Sequence, residues 1–595
     1  MVLRRSSGHP PNATMEEPAK KKQRIENEDD EDDTITEIER FQTSLLAQCL
    51  CNIPESSLRK PFTATTVASA NGEYRTACLS EWESDKTLEF ISALQLLFDV
   101  AIRQSTKTVM CRRIADVCEA LARNEHGIID QIIDLSCTPN KFISFSASRA
   151  LAAFFIVTKE NIEAAWLERL TQSLLNTHSP SQMLFTLDVI KRVVEHRDDS
   201  THPMEDAEYS GPSAHCNTLE IDPDSQDSTP VKAMCVKALK SKWTVLVNKF
   251  DTILTYYTPQ HESAVIIFLE LWESIISVKA NLSVIDTKMF FSQLDNMVIH
   301  LNASVPGVIW RHLLGLFNEV LCYGSTLSLQ DILPDEPCSL AHLIVRAVKD
   351  WRLLDALPYR QGSGRFGGGS GDGDRPLLQK IVLLVLKSVA VTVKETRSDS
   401  SDSSLGSEAE DIDADMAVIE RSIREVLRQL DHCVKALLPF HPEMPLSEWI
   451  IQVFHDQDDF LVESMVCCLD MAVGLFYRGP PPPQHDLGRM LSPTRTFVQF
   501  VQAIAHDPNV LLDLLHGSET CFLLYLLRFL KYIKRNWSEF LTCCAGELDN
   551  TMTVLIRLRL SIVRIVSKNL FSYNISPILR LLEKCESLYE GNVEN

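Results

Sequence analysis

The residues best equipped for chemistry are the cysteines, a few carboxylate runs and one glycine-rich stretch. There are 17 Cys, an odd number scattered through apolar periodic segments, as at Cys467, Cys468, Cys543 and Cys544. Such placement suits small buried hydrophobes. Paired C-x-x-C modules, or Cys with nearby His pairs, do not occur, so the spacing offers no zinc framework. Cys49 and Cys51 flank one residue, and on a helix they would point about 200° apart. Gly362-Ser363-Gly364-Arg365-Phe366-Gly367 matches G-x-G-x-x-G formally, but it lacks the preceding strand that would aim amides at a pyrophosphate. Asp411-Ile412-Asp413-Ala414-Asp415 starts like a calcium loop, yet Met416 stands where the glycine is required and Ser422 where the bidentate Glu belongs. His261-Glu262 lacks a second His, and no G-x-S-x-G or Walker sequence is present. The sequence therefore predicts no catalytic residue, metal ligand or cofactor. An enzyme with an unrecognised site remains as a rival reading.

Other residues suit regulation and contact. Lys20, Lys21, Lys22 and Arg24 form a basic cluster of the K-K-x-R kind, which can lie along an acidic import-receptor groove. Ser407 lies among acids, with Glu410 three residues on, in the pattern acid-directed kinases read. Ser492-Pro493 follows the Pro480–Pro483 tract and suits a proline-directed kinase. Arg557, Ser561, Arg564 and Lys568 recur along one face of a helix predicted over 551–569, away from an apolar stripe of Leu555, Leu558, Ile562 and Ile565. Arg557, Arg564 and Lys568 are the candidate partner-binding residues. A basic stripe of this kind is equally the solvated side of an amphipathic helix.

Behind these residues stands an uneven distribution of charge. The 595 residues carry a net charge of −22, and three segments, 26–33, 197–230 and 396–415, hold 23 acids and 2 bases. Rich in Ser, Asp, Glu, Pro and Gly, they read as disordered linkers that bury too little apolar area to offset ordering entropy. The remainder is nearly neutral, with 57 acids and 56 bases, and is a poor match for direct nucleic-acid binding. The N-terminus lacks the apolar run of a secretory signal. The apolar runs 381–393 and 521–530 are short and contain Lys387 and Arg528, so no membrane span is expected. These features together predict a soluble intracellular chain.

The elements that must position these residues are helices. Apolar residues recur at the 3.6-residue period: Leu88, Ile91, Leu94 and Leu97, with Phe98 beside them; Met183, Leu184, Leu187, Ile190 and Val194; and Ala152, Phe155 and Val157 around Arg149. The segment from Thr138-Pro139-Asn140 to Phe155 resembles that from His178-Ser179-Pro180 to Val194, about 40 residues on, a spacing typical of HEAT and armadillo repeats. The predicted class is all-α: an irregular helical-repeat (HEAT/armadillo-like) superhelix with disordered acidic linkers. The expected order is a tail (1–35), N-terminal repeats (36–196), acidic linker (197–230), middle repeats (231–358), Gly-rich linker (359–375), a helix (376–395), Ser-rich acidic linker (396–415), C-terminal repeats (416–550) and a terminal unit (551–590).

The wording of that terminal region is distinctive. Leu527-Arg528-Phe529-Leu530-Lys531-Tyr532, Arg535-Asn536-Trp537, Val554-Leu555-Ile556-Arg557-Leu558-Arg559-Leu560 and Leu570-Phe571-Ser572-Tyr573-Asn574-Ile575-Ser576-Pro577-Ile578-Leu579-Arg580-Leu581-Leu582-Glu583 resemble the Lines protein family. So do Asp456-Gln457-Asp458-Asp459 and Val462-Glu463-Ser464-Met465. Before about residue 440 the likeness is one of helical pattern. Within the unit, Tyr573-Asn574 should break the helix, with Ser576 capping the next and Pro577 in its first turn. The resemblance implies a non-enzymatic regulator of developmental patterning in Wnt and segment-polarity contexts. It also implies movement between cytoplasm and nucleus, and opposition to zinc-finger transcription regulators through protein contacts; importin is a further expected partner through the Lys20–Arg24 cluster. No cofactor and no catalytic residue come with it. A general HEAT-type trafficking or nuclear-transport adaptor is the first rival. If the basic cluster is an import signal, replacing Lys20, Lys21, Lys22 and Arg24 by Ala lowers the nuclear fraction of a fluorescently tagged chain; an unchanged distribution rejects that role.

Overall fold

The computed structural model describes residues 36–593, except 59–65, 69–73, 77, 125–126, 199–215, 223–226, 278–281, 360–372, 403–408, 477–485, 518, 569 and 572. The Lys20–Arg24 cluster, the 362–367 glycine run and Ser407 lie outside these residues. The chain is predominantly helical and divides into two compact units, one ending at Leu239 and the other beginning at Lys240.

In the first unit a helix over 36–46 (α1) precedes α2 (Ser84–Thr106), α3 (Lys141–Thr158) and α4 (Pro180–Glu195). α3 packs between α2 and α4. Asn140 begins α3 by accepting the amides of Phe142 and Ile143, and Pro180 occupies the first turn of α4, where its missing N–H costs nothing. The stripe predicted for α2 faces the core through Ile91, Leu94, Leu97 and Phe98, and the Phe98 and Phe154 rings meet at 5.4 Å. Arg149 does not sit in the apolar face. It is exposed and lies over the Phe145 ring, as does Arg192.

Short strands, unforeseen in the sequence, form two antiparallel ladders among the described residues: β1 (Thr66–Ala68) with β2 (Tyr74–Thr76), and β3 (Val109–Cys111) with β4 (Thr218–Glu220). β4 falls within 197–230, so that stretch is ordered at least in part. The expectation that Cys49 and Cys51 diverge also needs correcting. Helix α1 stops at residue 46, and Gln48 takes a φ of 58°, so neither cysteine is helical. On the turn that follows, both sulfurs approach those of Cys111 and Cys216.

The second unit is built around α8 (Arg375–Asp402). From Leu377 to Val393 it is buried almost continuously, because apolar residues occupy every side of it. Packed on α8 are α6 (Gly307–Val320), α7 (Asp335–Trp351), α9 (Ala409–Leu437) and α10 (Asp458–Leu475); α5 (Glu262–Ile276) lies against α6. Trp243, Phe250, Phe268, Trp272 and Phe290 form an aromatic cluster at the base of α5, with Trp272 Nε1 donating to the Phe290 carbonyl at 2.7 Å.

Two corrections follow for the stretches around α8. Much of 396–415 is helical, as the end of α8 and the start of α9. Length is also no argument against a membrane span. Lys141–Thr158 and Arg375–Arg397 are both long and apolar enough, but 67% and 89% of those windows are buried inside the protein, as core helices are.

A tight approach between two core helices of the second unit is at Gly474 on α10. A Cβ there would meet Val393 Cγ1 of α8 at 2.3 Å, and a branched core side chain has little room to yield. Gly474→Ala should therefore destabilise the chain by about 1–3 kcal/mol, read as a lower urea midpoint.

Candidate functional site

Two residues that carry the sequence resemblance, Glu463 and Arg528, belong to a buried polar network of the second unit. It is positioned by α8, α10, the turn after α6 and α11 (Phe522–Arg535). Lys387 is buried on α8, and its Nζ lies 2.8 Å from Glu463 Oε2 of α10 and 3.1 Å from the Asn318 carbonyl. The other Glu463 oxygen accepts the amides of Tyr323 and Gly324, each at 2.9 Å. Two helical turns further along α8, Lys394 donates to the carbonyls of Leu327 and Ser328 at 2.9 and 2.8 Å. Asp470 of α10 accepts the Tyr323 hydroxyl at 3.1 Å and pairs with Arg528 of α11, which also donates to the Ser328 carbonyl at 2.7 Å.

This network satisfies charges that would otherwise be very costly to bury. Burial works to lower the Lys387 pKa, but the Glu463 carboxylate overcomes it, and the ammonium is held above its ordinary range. The group is therefore charged at neutral pH, and its contribution fades only in alkali. Burial pushes the Tyr323 hydroxyl well above its ordinary value, and Asp470 strengthens the effect. Lys387 and Arg528, which break up apolar runs in the sequence, are thus the two cations of the network that pair with its carboxylates. A charge inside a helix whose flanks are wholly apolar is itself the signal that a partner must be found for it.

Beside Arg528 opens a cleft of about 340 Å³, lined by Asp470, Phe476, Leu491, Arg528, Lys531, Tyr532, Arg535 and Glu539, among others. Its carboxylates are engaged, Asp470 by Arg528 and Glu539 by the Tyr532 hydroxyl at 3.1 Å. Three cations line it against those two acids. The cleft is suited to receiving an acidic side chain.

The predicted partner-binding residues lie on α12 (Leu548–Val566) and just past it. Met552, Leu555, Leu558 and Ile562 of α12 are buried, and α13 (Ser576–Val593) packs on α12 and α11. Arg557, Arg564 and Lys568 are exposed, with no ion pair to any described residue. Next to them, and unforeseen, is an exposed apolar strip: Leu560 is 50% exposed, Val563 42% and Leu570 61%. Arg559 belongs to the structure instead, pairing with Glu586 of α13 at 2.7 Å. The turn between the helices is capped by Asn574, which accepts the Ser576 amide at 3.0 Å, rather than by Ser576 itself. Ser492 is not in an open loop: it is buried at the start of the Pro493–Ala503 helix and accepts the Arg495 amide. That burial opposes phosphorylation of the folded chain.

Comparison with known proteins covers both regions. The Lines N-terminus matches residues 217–544, and the Lines C-terminus matches residues 551–587. Protein lines of Drosophila melanogaster is 39% identical, over 94% of this chain and 80% of its own length. The chain belongs to the Lines family. Protein Lines homolog 1 is 27% identical in both human and mouse, over 38% and 47% of this chain and 30% and 39% of those proteins. An engineered protein of solved structure aligns over 77% of this chain and 97% of its own, at 14% identity and a TM-score of 0.24, too low to argue a shared architecture. The Lines N-terminus match spans the Lys387–Glu463 and Asp470–Arg528 pairs, and the Lines C-terminus match holds the exposed strip of α12.

Glu463→Gln leaves the Lys387 charge without its counter-ion and should cost about 3–5 kcal/mol. Adding Lys387→Met should recover most of that loss, because the glutamine carbonyl still accepts the Tyr323 and Gly324 amides. A double-mutant cycle by urea denaturation measures the coupling.

Proposed function

We propose that this Lines protein is a non-enzymatic helical scaffold that regulates developmental signalling of the Wnt and segment-polarity type, and the transcription it controls, through protein contacts. The observation that carries the reading is the exposed face of α12. There Leu560 and Val563, with Leu570 just past the helix end, are exposed near three unpaired cations, Arg557 and Arg564 on the helix and Lys568 beyond it. Exposed aliphatic side chains next to a single sign of charge favour an acidic partner segment with apolar anchors. Contact there would bury the strip, and the cations would steer the approach.

The partners in this reading are zinc-finger transcription regulators, with importin engaging the Lys20–Arg24 cluster, and the protein works in both cytoplasm and nucleus. Successive helices in this reading stack in HEAT-like fashion within each unit. Support comes from α3 and α4, which pack on one another and are each preceded, about 40 residues apart, by a turn in which a threonine hydroxyl accepts an amide two residues on, Thr138 from Asn140 and Thr177 from Ser179.

The test is affinity capture with the full chain and with its Arg557→Glu/Arg564→Glu/Lys568→Glu variant. Recovery of transcription regulators should fall at least tenfold in the variant, and wild-type capture should weaken as salt rises. Equal recovery by both proteins rejects the face, and a wild-type catch of trafficking coats alone favours a general adaptor.

A further inference from the structure

In the first unit four thiols meet that are far apart in sequence. The Sγ atoms of Cys49, Cys51, Cys111 and Cys216 all lie within 4.8 Å of one another. Cys51 Sγ is 3.8 Å from Cys111 Sγ and also 3.8 Å from Cys216 Sγ. A tetrahedron with metal–sulfur bonds of about 2.3 Å, the zinc–thiolate length, has sulfur–sulfur edges of about 3.8 Å. A disulfide pairs two sulfurs and sets the others aside, whereas here one sulfur stands equally close to two. We propose that Cys49, Cys51, Cys111 and Cys216 form a structural zinc site that fastens the turn after α1 to β3 and to the residues leading into β4.

The surroundings are those of a built site. Cys49 and Cys111 are buried, while Cys51 and Cys216 are half-buried and leave a route for the ion. The Cys51 amide donates to Cys49 Sγ at 3.3 Å, a contact that supports a thiolate. Gln104, wholly buried, ties two ligand segments together: its Oε1 accepts the Cys111 amide at 2.9 Å and its Nε2 donates to the Gln48 carbonyl at 2.7 Å. Arg113 donates to the carbonyls of Leu50 and Ile53 and so holds the turn that carries Cys49 and Cys51. Outer contacts of this kind orient metal ligands.

The backbone points the same way. Gln48 and the β-branched Thr108 both take left-handed φ values, 58° and 61°, immediately before ligand-bearing segments. Such strain persists only where the surroundings over-determine it. Each strand of the β3–β4 ladder is three residues long, and a pair so short is marginal unless something else holds it.

The full chain, purified without added metal, should contain one zinc per chain by elemental mass spectrometry. Cys51→Ser and Cys216→Ser should each lose most of it, while Cys137→Ser, at an exposed thiol elsewhere in the unit, keeps it. Since a ligand variant can misfold, the wild type carries a second readout. Alkylation mapped by peptide mass spectrometry should find the four thiols protected until a chelator is added. Cobalt in place of zinc should give the absorption of a tetrahedral tetrathiolate. A disulfide linking any two of the four overturns the proposal, as does a zinc-free protein with four freely alkylated thiols, or iron in place of zinc.

Discussion

The second unit depends on one buried ion pair. Lys387 lies in the middle of a helix that the protein surrounds on all sides, and its ammonium is tolerable there only because Glu463 sits 2.8 Å away. The consequence spreads through geometry. With one oxygen committed to the lysine, Glu463 uses the other to hold two amides of the turn after α6. That turn supplies Tyr323 to Asp470, and Asp470 in turn holds Arg528. Three helices and a turn are thereby fixed in register by directional bonds, which apolar contact alone would not specify. An ion pair of this type adds little net stability compared with a well-packed apolar core, but any arrangement that separates its members is strongly penalised.

Fixing α11 in this way determines what the end of the chain can present. Arg528 faces inward, so Lys531 and Arg535 on the same helix reach the cleft. The α12–α13 pair, anchored by the Arg559–Glu586 bridge, turns its remaining cations outward. The distinction between structural and displayed arginines thus arises from which of them meets a carboxylate inside the fold.

The helical class and many of the core stripes were legible because the 3.6 period is written locally: Ile91, Leu94 and Leu97 need only each other to be recognised. The exposed basic residues of α12 were legible for the same reason, as was membership of the Lines family, through local wording. What stayed hidden was whatever depends on residues distant in sequence. The partner of Lys387 is 76 positions away, and those of Cys51 are 60 and 165 away. Reading Cys49 and Cys51 on a helix sent their sulfurs apart, although a left-handed Gln48 had already ended it. The acidic stretch at 396–415 misled through composition, since a segment too polar to build a core can still continue the helices on either side of it.

The antiparallel pairing of β3 with β4 joins residue 111 to residue 218. A ribosome delivers the chain from its N-terminus, so α1 and the turn behind it leave the exit tunnel long before Thr218–Glu220 can reach them. During that interval the edge of β3 and the thiols around it are open to chaperones and oxidants. Completion of the first unit is therefore timed by translation of its last strand, and a pause in synthesis shortly before that point would prolong its most vulnerable state.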